Sequence, residues 1–151
     1  MIILEDAFWS AFAALGFAML FNVPRRTLIA CAFAGAIGHA SRTLLIQSIG
    51  LTIETATFVA AALVGFLGTY LAKHLRAPSL IFTVTGVIPM VPGLFAYTAM
   101  LRFLELSLGT GDETILQEAM VYFIRTMLIL GALALGISLP RLLFLRRRPV
   151  V

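Results

Sequence analysis

Apolar residues fill this chain in long runs, and its polar positions gather in the short gaps between them. Five runs stand out: residues 3–21, 28–48, 55–72, 78–104 and 115–139. At 1.5 Å per helical residue each reaches roughly 27 to 40 Å, enough to cross a hydrocarbon core of about 30 Å. The gaps are punctuated by helix stops: "NVPRR" after the first run, Gly50 after the second, "KHLRAP" after the third and Pro140 after the fifth. The pattern predicts an all-α integral membrane protein. Residues 1–151 form a single integral membrane domain, a five-transmembrane-helix bundle with short connections.

Composition changes this picture little. Of the 151 residues, 61% are hydrophobic and only 12% charged. The mean hydropathy is +1.04. A water-soluble domain of this size cannot hide so much apolar surface. The opening "MIILEDAFWS" has no positively charged start and no small-residue cleavage site, so it reads as a retained helix. A single cysteine, Cys31, excludes an internal disulfide and a multi-cysteine metal site.

Charge sets the orientation. A net charge of +4 suggests nucleic acid at first sight, but the basic residues stand at the ends of apolar runs, so no nucleic-acid face is predicted. Arg25, Arg26, Lys73, Arg76, Arg141, Arg146, Arg147 and Arg148 all fall on one side if every run crosses. Glu5, Asp6, Glu54, Glu105, Asp112 and Glu113 fall on the other, with Glu118 a turn inside it. The positive-inside rule then places the N-terminus outside and the C-terminus in the cytoplasm, which needs an odd number of crossings. Five helices do not divide into two inverted halves, which hints at a partner.

The fourth run carries "VTGVIPMVPGLFAY". Pro89 lies near mid-depth, followed by Pro92, Gly93 and Tyr97. A helix-interior proline removes a backbone hydrogen bond and costs about 3 kcal/mol. In lipid such a break survives where helices, side chains or water satisfy the freed carbonyls, and broken helices at mid-depth often bind substrates. The fourth helix is therefore expected to break at this Pro-x-x-Pro-Gly turn, either as a binding turn or as a packing kink.

In the second run, "GAIGHASR" puts Gly35, Gly38, His39 and Arg42 at helical spacings on one face. Ionisable residues inside a membrane face the bundle interior or a watery cavity. For His39 the readings are a neutral interhelical histidine or a proton carrier. For Arg42 they are snorkelling or a substrate charge. In the fifth run Arg125 is near mid-depth, and its simplest reading is a pair with Glu118. With arginines and a histidine but no mid-depth carboxylate, the lining suits a small anion; a zwitterion would need backbone carbonyls near Pro89. No nucleotide, metal or nucleophile signature occurs, so no enzyme activity, cofactor or metal is predicted.

"FNVPRRTL", "GAIGHASR", "ATFVAAALVG" and "FTVTGVIPMVPGLFAYTAM" resemble the threonine/serine exporter (ThrE) family, and most closely its small YjjB-type subunit. The resemblance covers roughly residues 12–140. It implies a multi-pass protein of the bacterial inner membrane that works with a YjjP-type large membrane subunit, and a homo-oligomer is a further arrangement. It also implies export of a small polar metabolite: succinate for split pairs, threonine and serine for fused members. An assembly subunit that lines no site is the alternative. The candidate pathway residues are His39, Arg42, Pro89, Pro92, Gly93 and Tyr97, with Arg125 and Glu118 behind them.

Overall fold

A computed structural model describes residues 2–109 and 111–144. Arg146, Arg147 and Arg148, expected on the cytoplasmic side, lie outside the described residues. Every regular element among the described residues is helical: α1 Ile2–Leu20, α2 Leu28–Ile49, α3 Ile53–Leu75, α4 Ser79–Val87, α5 Gly93–Ser107 and α6 Glu113–Phe144. Short 3-10 turns cover Arg25–Thr27 and Ile88–Met90. Four helices are long and apolar enough to cross a membrane, or five spans if the broken pair formed by Ser79–Met90 and Gly93–Ser107 counts as one.

The helix ends follow from local chemistry. After α1, Asn22 takes a left-handed φ of 54°. The Val23 N–H then reaches back to the Ala18 carbonyl at 3.0 Å, a closure that satisfies carbonyls the helix end leaves bare. Pro24 cannot continue the helix, and its carbonyl accepts from both the N–H and the hydroxyl of Thr27. "FNVP" is therefore a stop and a turn. Gly50 closes α2 at φ 72°, and Arg76 closes α3 at φ 48°.

The chain divides into two compact units, Met1–Met90 with Ala132–Val151, and Val91–Gly131. In the first unit, α2 packs against α1, α3 and α4, and α3 packs against α4. Its core is built mostly from small side chains: Ala14, Ala18, Cys31, Ala34, Ala56, Ala60 and Ala61 are fully buried, with Val64, Phe82 and Met90 among them. Many other large apolar side chains point outward, Leu4, Trp9, Leu20 and Ile29 included. Lipid tails are as apolar as leucine, so membrane helices associate through small residues and close backbones while bulky side chains face the acyl chains.

One end of this unit is basic. Ala18, Val23, Cys31 and Phe82 cluster there with Leu28, Leu75 and Ala77, which brings the end of α1 and the start of α2 beside the end of α3 and the start of α4. Arg25, Arg26, Lys73 and Arg76 all lie in these terminal stretches. At the opposite end the Thr43 hydroxyl of α2 donates to Asp6 of α1 at 2.7 Å.

The second unit holds α5 and the first part of α6. The turn between them ends at Asp112, whose Oδ1 accepts from the N–H groups of Thr114 and Ile115, both at 3.1 Å. These are first-turn donors that the helix cannot satisfy itself. They hold the Asp112 carboxyl below its ordinary range, with the Thr114 hydroxyl the largest cause.

In the fourth run α4 ends at Val87 and α5 starts at Gly93, with Pro89 and Pro92 between them. One expected boundary moves. The last helix does not stop before Pro140 but carries it inside and continues to Phe144. Pro140 is fully buried. Its ring rests on Gly65 of α3, where a Cβ would meet Pro140 Cγ at 3.0 Å. The missing side chain makes room for the ring, and the helix runs on at the cost of the one hydrogen bond that the proline cannot donate.

Candidate functional site

The site begins at a helix crossing. A Cβ on Gly38 of α2 would lie 3.2 Å from the Gly86 carbonyl of α4 and 2.7 Å from Val64 Cγ2 of α3. One on Gly86 would meet Val64 Cγ1 at 2.8 Å and Ala34 Cβ at 3.1 Å. Only glycine lets the two backbones come this close. One turn further along each helix stand Arg42 and Met90, and the crossing brings them together. Arg42 Nη1 donates to the Met90 carbonyl at 3.0 Å.

That carbonyl has lost its helical partner. After Ile88–Met90 the chain turns through Val91 and Pro92, and the Gly93 N–H bonds back to the Val91 carbonyl at 2.8 Å. Pro89 and Pro92 have no N–H to give. The break frees the Met90 carbonyl, and Arg42 takes it. A cation at the C-terminal end of a helix also meets the negative end of its dipole.

The other arm of the guanidinium reaches His39, with Arg42 Nη2 and His39 Nε2 3.0 Å apart. Arginine only donates, so Nε2 is the acceptor and the imidazole carries its proton on Nδ1. That Nδ1 is buried and has no hydrogen-bond partner among the described residues. A buried donor without an acceptor is costly and calls for an explanation. Asp6 completes the cluster: its carboxylate is tied to Thr43 and its charge acts on both His39 and Arg42.

Of the expected residues, the structure thus gathers His39, Arg42 and the Pro89 turn in the first unit. The glycine face divides: Gly35 packs on Ala14 and Ser10 of α1, whereas Gly38 packs on α3 and α4. Asp6 escaped the sequence reading, which found no carboxylate at this depth. The signal was present in the hairpin. Asp6 and Thr43 lie 18 and 19 residues either side of Pro24, so two straight helices joined there bring them level.

Pro92, Gly93, Tyr97, Glu118 and Arg125 belong to the second unit. Tyr97 is exposed. Glu118, expected to pair with Arg125, instead has its Oε2 2.9 Å from Arg102 Nε, and Arg102 also donates to Glu105 at 2.9 Å. The Glu118 contact is an ion pair and not a hydrogen bond, because it lies off the Arg102 N–H direction. The side chains of Arg102 and Glu118 reach each other across the helical pair α5 and α6. Arg125 stands over the Phe95 ring at 5.9 Å, a cation–π contact that suits a guanidinium away from water. Among the described residues no cluster of histidine, cysteine and acidic side chains could hold a metal ion.

Apolar spans with outward leucines and phenylalanines, and a polar cluster where a helix breaks, define a multi-pass helical membrane protein. Residues 6–143 match the family described as "Threonine/Serine exporter, ThrE", and the chain belongs to that transporter family. It is 42% identical over 149 residues to an uncharacterized protein of Haemophilus influenzae, covering 99% of this chain and 50% of that protein. The chain therefore spans about half the length of the curated relative it matches. No solved structure matches it.

Proposed function

We propose that this chain is the small subunit of a two-component exporter of small carboxylate metabolites. It acts in the bacterial inner membrane with a YjjP-type large subunit. The observation that carries the reading is the Arg42 guanidinium, which joins the freed Met90 carbonyl to His39 at the α4 break. Two of its five N–H donors are engaged in these bonds, and the forked geometry suits a carboxylate. The buried His39 Nδ1–H supplies a second donor in need of an acceptor. The break frees a backbone carbonyl that the guanidinium then engages. The basic end faces the cytoplasm, which puts the Arg42 cluster toward the outer side.

A relative about twice as long, which this chain half covers, is in keeping with a second component beside this one. The arginine and histidine favour a dicarboxylate, and succinate is the first substrate. Asp6 favours a second reading, because a carboxylate beside Arg42 gives the ammonium of threonine or serine a partner. The family description points the same way.

The test is efflux of labelled succinate and labelled threonine from cells expressing this chain with and without a YjjP-type subunit. Succinate efflux only when both are present supports the first reading, and threonine efflux the second. No flux of either sinks both.

A further inference from the structure

The basic end of the first unit contains a cavity of about 200 Å³ lined by hydroxyls, Arg141 and the apolar Leu80 and Ile137. Three helices line it: α3 with Thr69, α4 with Ser79 and Thr83, and α6 with Ser138 and Arg141. Four hydroxyls and a guanidinium converge there in a chain that is 61% hydrophobic. Arg141 stands near the end of its helix, where a long side chain can extend into water. Instead, its Nη2 lies 3.4 Å from Ser79 Oγ across the cavity wall.

The hydroxyls divide into two kinds. Those of Thr69, Thr83 and Ser138 donate to carbonyls of their own helices, at 2.9, 3.1 and 2.7 Å. Their protons are used and their lone pairs remain. Ser79 accepts from Arg141, which leaves its own proton to give. The cavity thus offers a charged donor at Arg141 and a neutral one at Ser79, with acceptor lone pairs at Thr69, Thr83 and Ser138. That combination fits a carboxylate on a small polar molecule better than it fits a bare cation or an apolar group.

We infer that this cavity is a second carboxylate site, where Arg141 and Ser79 hold the metabolite at the basic face before it reaches the Arg42 cluster. As a loading site it rests on the exporter reading above; as a binding site it does not.

The test is protection from labelling. Cys31, buried in the core, is replaced by alanine, and Ser138→Cys is labelled with a methanethiosulfonate in inside-out vesicles from cells expressing the full chain. Millimolar succinate or threonine should slow labelling at least threefold. Arg141→Gln should abolish the slowing. Ser79→Ala, which leaves every charge and hence the topology intact, should weaken it. Equal rates with and without either carboxylate overturn the site, as does slowing by inorganic phosphate alone or by anionic lipid content alone. Protection without efflux keeps the site and removes the exporter reading. Efflux without protection does the reverse.

Discussion

Arg42 Nη1 and the Met90 carbonyl meet at 3.0 Å, one helical turn beyond the point where Gly38 and Gly86 bring their helices together. The glycines and the arginine form one device. Close backbones aim the guanidinium at the carbonyl that the proline turn sets free, and without them a helix broken in lipid would keep that carbonyl bare.

Arg42→Gln should lower export at least tenfold while the chain still inserts and accumulates. Leaving a buried acceptor unpaired costs about 1–3 kcal/mol in water-soluble proteins and less in membranes, where broken bonds find substitutes. Efflux measured against membrane abundance separates the two effects. Unchanged flux per molecule would remove Arg42 from the pathway.

Gly86→Ala tests the crossing. A methyl there lands on Val64 and Ala34, and overpacking of this kind costs about 1–3 kcal/mol. Thermal unfolding of the purified chain should show the loss. A second substitution, Val64→Ala, should recover part of it by making room.

The prolines separate a site from a scaffold. Replacing Pro89 and Pro92 with alanine restores N–H groups to the Thr85 and Ile88 carbonyls and favours a continuous helix. The variant should still co-purify with the proposed YjjP-type subunit and lose efflux. Normal efflux with a straightened helix would leave the break without a transport role.

Asp112 gives a pH signature at the start of α6. Its carboxyl is held below the reference value of 3.8 by the Thr114 hydroxyl and the N–H groups it accepts. A lowered folded value means that the cap contributes fully above the unfolded value and is lost as pH falls through the folded one. Asp112→Asn should therefore be less stable than the parent at neutral pH, and the gap should close below pH 3.8. Thermal melts across that range read it directly.

Much of this was legible in the chain because lipid imposes simple rules. Apolar length marked the spans, and "FNVP" marked a stop whose physical cause is the left-handed Asn22. Pro89 marked the break. What stayed hidden depends on which helices touch. Glu118 had two arginines within reach of a sequence argument, Arg102 and Arg125, and only the pairing of α5 with α6 joins it to Arg102. Gly35 and Gly38 share a helix face in projection, yet three residues of rotation send one toward α1 and the other toward α4. Pro140 reads as a stop by local rules and is overruled by the glycine opposite it.

That overruling lengthens α6 to 32 residues, about 48 Å at 1.5 Å per residue, against about 30 Å of hydrocarbon. A rod that overshoots its solvent must lean, or hold part of its length among headgroups, and its lean changes as the bilayer thins or thickens. The helix that carries Arg141 is therefore longer than one upright crossing needs.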